Sequence, residues 1–246
     1  MIKKILVSQP RPQSDHNPYA DLEKRFGVEC DFHPLISIEG LNAQEFRLQR
    51  INPLDYTAVL FNSRLAIDHF FRICEEMRLT IPDTMHYYCI SEAVGNYLQK
   101  YIQYRKRKVF FSENNQFLDL LPAMNRRPQE RYMMVMSDLL NKDVINMFAE
   151  HKITITPAVM YRTVPATWPK DKPFDYDLVV LFTPTGVTAI HKNFPKLKPD
   201  QCLFAGFGAN TQQALEKLGF PVSIAAPTPQ CPSIPAAIAK YLEENA

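Results

Sequence analysis

One pattern occurs twice in this chain. Residues 56–70 and residues 176–194 each begin with a tyrosine-led apolar run, continue through a small polar turn and end in a segment with helical spacing. A second unit of the same kind follows each of them, at 88–95 and at 203–211. Internal repetition fixes an architecture before any single residue is interpreted. The repeat predicts two similar α/β lobes, and a cleft between lobes is a common place for a ligand.

The order of the units predicts how the lobes are built. Strand and helix patterns alternate throughout, which predicts α/β lobes, each with a parallel sheet flanked by helices. We expect a discontinuous outer lobe, 1–34 plus 165–246, and an inserted lobe, 35–164. The chain then crosses between lobes near residues 33–38 and 158–164. These two crossings are predicted to pair as a two-stranded β-ladder that acts as a hinge.

Charge and composition narrow the class of function. The chain has 28 basic and 26 acidic residues, a formal net charge of +2, and 46% hydrophobic residues. Such a balance suits packed cores and disfavours a nucleic-acid partner, which is bound mainly by neutralising phosphates. The cationic run at 104–108 follows a predicted helix, where cations favour the C-terminal end of the dipole.

The five cysteines and six histidines indicate neither disulfides nor a metal centre. The cysteine number is odd, no CxxC occurs and most cysteines stand in apolar runs, which is typical of reduced thiols in a cytoplasmic protein. The histidines lack paired spacing, so no metal is expected. No apolar run has transmembrane length, and the N-terminal run is too short for a signal peptide. We expect no membrane partner and a monomer.

The turns that follow the predicted strands carry small polar residues. They are Ser8, Ser63, Ser91, Ser112, Ser137, Thr183 with Thr185, and Asn210 with Thr211. Ligands of parallel α/β sheets bind at these carboxyl ends, and helix N-termini favour anions. The predicted substrate-binding set also includes Arg11, Arg64, Gly186 and Gly208. Plain helix capping remains the alternative for each residue taken alone, but the whole set would suit a ligand with several carboxylates.

Catalytic candidates are few. No Ser–His–Asp order, paired carboxylates or reactive-cysteine context is visible, so nucleophilic catalysis has no candidate. Tyr161 lies within the second crossing and could offer a phenol proton to the cleft. From the spacing alone, a packing aromatic is the simpler interpretation of Tyr161.

Taken together, these segments resemble the uroporphyrinogen-III synthase family. The resemblance covers nearly the whole chain, and its order, spacing and double occurrence make it specific. It is carried by Ser8-Gln9-Pro10, Pro34, Tyr56–Ile67, Ser91–Gly95, Met160-Tyr161-Arg162-Thr163, Phe182–Val187, and Phe207–Thr211 through Ala214-Leu215 to Gly219.

The resemblance implies a reaction as well as a fold. Family members need no cofactor: the linear tetrapyrrole hydroxymethylbilane loses its hydroxyl group, ring D is inverted, and the macrocycle closes to uroporphyrinogen III. The family's tyrosine on the second crossing matches Tyr161, which we therefore expect to donate a proton to the leaving hydroxyl. A phenol with an ordinary pKa of about 10 is protonated at neutral pH. The rest of the catalysis would be positioning of the folded substrate.

Two positions depart from the family pattern. Ser8-Gln9 stands where Thr-Arg is usual, and Val94 stands where a threonine is usual. They leave open a bilobed homologue that binds a polycarboxylate without chemistry. A third alternative, a nucleotide-using enzyme, depends on Gly206–Thr211. That segment resembles half of a dinucleotide fingerprint but lacks its third glycine and its acidic partner.

Overall fold

The computed structural model describes residues 2–12, 17–139 and 142–245. The chain divides into two compact units, one formed by Met1–Ser37 with Val164–Ala246 and the other by Ile38–Thr163. The sequence predicts that the lobes divide after residues 34 and 164, and the two compact units divide after Ser37 and Thr163. No helix in the described residues is both long enough and apolar enough to cross a bilayer.

The discontinuous unit contains a parallel sheet. Within the described residues its strands are β1 (Lys4–Val7), β2 (Glu29–Phe32), β9 (Leu178–Leu181), β10 (Leu203–Phe207) and β11 (Val222–Ala226). Their order across the sheet is β11-β10-β9-β1-β2, and each pair runs parallel. The first strand therefore lies next to β9, the first strand that forms after the inserted unit.

Helices cover both faces of this sheet because its strands are apolar on both sides. The helices are α1 (Pro18–Phe26), α7 (Pro184–Asn193), α8 (Ala209–Lys217) and α9 (Ile234–Glu244). Ile5 and Val7 pack with α1 and α9 residues in one buried cluster. Leu6, between them, belongs to a second cluster with residues of α7 and α8. This alternation along β1 is the period of two expected of a strand.

The inserted unit is built in the same way. In the part of the chain that the structure describes, its strands are β3 (Ile36–Gly40), β4 (Ala58–Phe61), β5 (His86–Cys89), β6 (Val109–Phe111), β7 (Tyr132–Ser137) and β8 (Ile155–Pro165). Their order is β3-β8-β7-β4-β5-β6, and the pairs from β8 to β6 are parallel.

Helices again lie on both faces. They are α2 (Ala43–Arg47), α3 (Arg64–Glu76), α4 (Glu92–Tyr97), α5 (Leu121–Asn125) and α6 (Lys142–Glu150), with short 3₁₀ turns at Pro53–Asp55, Leu98–Lys100 and Phe117–Leu120. One buried cluster joins α3 and α4 to the face that contains Val59 and Phe61. The other joins α5 and α6 to the face that contains Leu60. The predicted parallel sheets flanked by helices are confirmed.

The two predicted crossings pair, but not as a separate ladder. β3 and β8 are neighbours, and β8 also pairs with β7 through Ile155–Tyr161, so the ladder is the edge of a six-stranded sheet in the described residues. The first crossing is not extended throughout, because β2 ends at Phe32 and β3 begins only at Ile36. Pro34, which has no N–H to donate, lies in the gap.

Candidate active site

In the discontinuous unit, three neighbouring strands end next to predicted binding residues. Ser8 follows β1, Thr183 follows β9 and Gly208 follows β10, and these strands are adjacent in the order β10-β9-β1. Because parallel strands end at one edge, the structure brings these residues to the same edge of the sheet. We call it the outer carboxyl edge, defined by Ser8, Thr183 and Gly208.

Thr183 is a helix cap. Its side-chain oxygen accepts a hydrogen bond from the Gly186 amide at 3.1 Å, and Pro184 occupies the first position of α7. Thr185 is half-buried and Gly186 is buried. The cap uses one lone pair of the Thr183 hydroxyl, which leaves its proton free to meet an anion at the positive end of α7.

Gly208 lies where a side chain would be strained. Its φ is 79°, a left-handed conformation that favours glycine, and α8 has no side-chain cap there. The Gln212 side chain secures the turn by donating to the carbonyls of Gly206 at 3.0 Å and Ala226 at 3.2 Å. Asn210 is exposed and able to contact a ligand, whereas Thr211 is only 2% exposed.

Ser8 and Arg11, two predicted binding residues of the discontinuous unit, precede its first helix. Helix capping, the alternative interpretation of Ser8, does not hold in the described residues, because α1 begins at Pro18 and its cap is Asn17. The Ser8 amide donates to the Val180 carbonyl, so the residue extends the sheet instead. Arg11 is exposed, lies 3.3 Å from Glu23 and is stacked over the Phe32 ring at 5.2 Å.

In the inserted unit, Ser63 and Ser91 follow the adjacent strands β4 and β5. Ser63 Oγ accepts from the Ala66 amide at 3.1 Å and Ser91 Oγ from the Val94 amide at 3.3 Å, so both cap helices as expected. Arg64 is exposed and its guanidinium lies 5.6 Å from the Tyr97 ring centroid. We call this edge of the sheet the inner carboxyl edge, defined by Ser63, Arg64 and Ser91.

Ser112 and Ser137 do not cap helices in the described residues. Ser112 is 1% exposed; its hydroxyl donates to Asp119 at 2.7 Å and accepts from the amides of Asn114 and Gln116. The Ser112 hydroxyl closes a turn with these three partners instead of capping a helix. Ser137 is half-buried at the end of β7. The helix that follows, α6, is described from Lys142, and residues 140–141 lie outside the described residues.

Tyr161 lies on β8 beside the inner carboxyl edge. Ser137 and Tyr161 are register partners, and the Asp138 amide donates to the Tyr161 carbonyl at 3.0 Å. Tyr161 is buried, with only 6% of the residue exposed. Burial raises the pKa of Tyr161 above its ordinary value, and the polar side chain of Ser63 lowers it by less. The phenol is therefore protonated at neutral pH and adjoins a predicted binding residue.

Sequence reasoning missed two aromatic features of these edges. His69 stacks on Tyr161 with ring centroids 4.9 Å apart. Phe207, at the end of β10, is 37% exposed and lies 6.1 Å from Phe182 between centroids. The sequence shows both His69 and Phe207, but it does not show that they contact Tyr161 and Phe182, which are distant in the chain.

The chemistry that this set can perform is proton donation and hydrogen bonding. Four thiols are poor nucleophiles, because burial raises the pKa of Cys30, Cys74 and Cys89 to about 12 and that of Cys202 to about 11. In the residues that the structure describes, no group of histidine, cysteine and acidic side chains is arranged to hold a metal ion.

Comparison with known proteins gives the family. The family model described as uroporphyrinogen-III synthase HemD matches residues 17–235. The chain belongs to the uroporphyrinogen-III synthase family. The family places the chain among the lyases of tetrapyrrole biosynthesis. No curated protein sequence matches the chain significantly.

Two solved uroporphyrinogen-III synthases align with nearly the whole of this chain. The one from Helicobacter pylori 26695 has a TM-score of 0.55 at 14% identity, and the match covers 99% of this chain and 100% of that one. A mutant from the extremely thermophilic bacterium Thermus thermophilus has a TM-score of 0.46 at 14% identity, with the same coverage. The Helicobacter structure supports the α/β architecture of this synthase.

Proposed function

We propose that this chain converts hydroxymethylbilane to uroporphyrinogen III, with inversion of ring D and loss of water, and that Tyr161 is its proton donor. The observation that carries the reaction is the family match over residues 17–235. The assignment of the proton donor to Tyr161 is supported by its burial and by its position on β8, where it is the register partner of Ser137, another predicted binding residue.

The proposed role of Tyr161 is that of a general acid. The phenol transfers its proton to the departing hydroxyl group, which leaves as water while the pyrrole nitrogen electrons form an azafulvenium cation beside the phenolate. Ring closure later releases a proton from a pyrrole carbon, and the Tyr161 phenolate accepts it. The enzyme thus returns to its starting state, and the net change is substrate to product plus water. A phenol kept protonated by burial suits the first step.

Binding of the substrate is proposed to use both carboxyl edges. In the outer edge the proposed contacts are Ser8, Arg11, Thr183, Thr185, Gly186, Gly208, Asn210 and Thr211; in the inner edge they are Ser63, Arg64, Ser91 and Ser137. Thr183, Ser63 and Ser91 each present a hydroxyl at the N-terminus of a helix. The acetate and propionate arms of the tetrapyrrole are anions, which helix N-termini favour.

The decisive experiment is an isomer assay. Purified chain is given hydroxymethylbilane formed in situ, and the uroporphyrinogen isomers are separated after oxidation. We expect the type III isomer in excess over an enzyme-free control. Type I isomer alone, which forms spontaneously, would overturn the proposal, and tight tetrapyrrole binding with that result would indicate a non-enzymatic binder.

We also propose that the protein acts as a cytoplasmic monomer without a cofactor. Buried free cysteines at Cys30, Cys74, Cys89, Cys202 and Cys231 support a reducing compartment. Light scattering after gel filtration gives the mass directly, and full activity of protein treated with a chelator and dialysed tests the need for a cofactor.

A further inference from the structure

His69 lies against the residue to which the proposed function assigns the proton. It projects from α3, and its ring is nearly parallel to that of Tyr161, with an interplanar angle of 18° and centroids 4.9 Å apart. Both residues belong to the inserted unit. A face-to-face ring at this distance restricts rotation of the phenol about its own axis, because any tilt would drive the two rings together.

Arg72, one turn further along α3, holds the imidazole in place. Its Nε and Nη2 lie 3.4 Å and 3.3 Å from His69 Nδ1. A guanidinium is always a donor, so Nδ1 accepts and the ring proton is on Nε2. Arg72 Nη2 also donates to the Leu41 carbonyl at 2.7 Å, and Arg72 pairs with Glu76. Leu41 and Glu76 thus hold the Arg72 guanidinium in place, and the guanidinium in turn holds the His69 ring.

Gly40 leaves room for this arrangement. A Cβ added at Gly40 would lie 2.5 Å from Arg72 Nη2 and 2.9 Å from His69 Cε1. Both distances are shorter than real contacts, so a side chain at this position of β3 would displace the imidazole or the guanidinium. The absence of a side chain at residue 40 thus permits β3, α3 and β8 to meet around the two rings.

We propose that His69 is a positioning residue for the synthase reaction: held against the Tyr161 ring by Arg72, it orients the phenol toward the substrate's leaving group. The proposal rests on the proposed role of Tyr161. His69 does not touch the substrate in this scheme and transfers no proton.

The charge state of His69 follows from the groups that face it. Arg72 and Asp68 approach from its own helix, Tyr161 from β8, and β3 contributes only the backbone at Gly40. Burial lowers the pKa of His69 most, Arg72 lowers it further, and Asp68 raises it. His69 is therefore neutral at pH 7 and gains a proton only in acid, where an imidazolium would lie on the face of the phenol. Loss of Arg72 would move that protonation to higher pH.

The test is a set of single and double variants assayed by the initial rate of type III isomer formation. His69→Ala should lower kcat roughly ten- to hundredfold with little change in KM. His69→Phe keeps a flat ring and should restore most of kcat. In a Tyr161→Phe background, His69→Ala should cost less than about twofold, since the residue acts through the phenol. His191→Ala, on the exposed end of α7, is the matched control and should not change the rate.

Two further variants test the supporting contacts. Arg72→Met should shift the acidic limb of the kcat–pH profile to higher pH, and His69→Phe should remove that limb. Gly40→Ala should reproduce the kcat loss of His69→Ala. Thermal melting of every variant separates these effects from unfolding.

The outcomes distinguish the two proposals. If the wild-type chain forms no type III isomer, the proposed function is wrong. If Tyr161→Phe retains full activity, the role of Tyr161 is wrong. If Tyr161→Phe is impaired while folded His69→Ala is fully active, or if the two losses multiply in the double variant, the positioning role of His69 is wrong.

Discussion

The side chain of Gln49 pairs with the backbone of Val159 as a strand would. Gln49 Nε2 donates to the Val159 carbonyl at 2.7 Å, and the Val159 amide donates to Gln49 Oε1 at 3.0 Å. Both polar groups of one β8 residue are therefore satisfied by a single amide side chain. Val159 precedes Tyr161 by two residues, so this pair fixes the strand that carries the proposed acid.

Gln49→Ala should therefore destabilise the inserted unit. The variant leaves the Val159 N–H and C=O without their partner, which costs about 1–3 kcal/mol of unfolding free energy. Urea unfolding followed by circular dichroism measures the change. Gln99→Ala, on an exposed 3₁₀ turn, is the control and should lie within about 0.5 kcal/mol of wild type. Equal stability of both variants would show that the Gln49 pair contributes nothing.

Tyr161→Phe should slow the reaction without unfolding the protein. Removing the hydroxyl deletes the proposed proton donor, and general acids typically contribute about 10²–10⁴-fold to a rate. We expect kcat for the type III isomer to fall by at least the lower figure, with KM less affected. The thermal midpoint should change little, because the ring remains packed. An unchanged kcat would remove Tyr161 from the mechanism.

Asp68 should make stability depend on pH. Burial raises the pKa of Asp68, but hydrogen bonds from Tyr101, Lys100 and Tyr97 together outweigh it, and the net shift is downward. A carboxylate with a depressed folded pKa stabilises the fold above its unfolded pKa of about 3.9 and loses that contribution as the pH falls toward the folded value.

The corresponding variant is Asp68→Asn. It should be less stable than wild type at pH 7, and the difference should shrink as the pH is lowered through and below about 4. Urea unfolding at a series of pH values measures it. A stability difference that is constant across this range would mean that the charge of Asp68 is not responsible.

Phe207→Ala should weaken substrate binding. The exposed Phe207 ring beside Phe182 offers an aromatic surface to the pyrrole rings, and losing such a contact costs about 1 kcal/mol, or roughly a fivefold rise in KM. Leu218→Ala removes a side chain of similar exposure, 39%, at the end of α8 and serves as control. A rise in KM for both variants, or for neither, would contradict a specific role for Phe207.

Much of the fold could be predicted from the sequence, because it is written in local patterns. Leu178–Leu181 and Ala58–Phe61 are short apolar runs between turn residues, and both are fully buried parallel strands. Serine or threonine directly before a helical pattern identified the caps at Ser63, Ser91 and Thr183 correctly. Such signals extend over a few residues, so a single sequence contains them.

The errors arise where the outcome depends on partners beyond the local pattern. Ser112 also follows a strand, but its hydroxyl binds Asp119 and two turn amides, so it is buried in a loop. The role of His69 could not be predicted from its neighbours along α3, because its contact with Tyr161 joins segments that are far apart in the chain. The contact between these two rings depends on the register of β8 and on the space beside Gly40. Neither can be predicted from the spacing of apolar residues along the sequence.

The strand order of the discontinuous unit has a consequence for biosynthesis. β1 is hydrogen-bonded to β9 on one side, and β9 emerges from the ribosome only after the whole inserted unit. One edge of β1 therefore lacks its hydrogen-bonding partner while more than half of the polypeptide is translated. The inserted unit is contiguous and is able to fold first during synthesis. The sheet of the discontinuous unit can therefore close only after β9 has been synthesised.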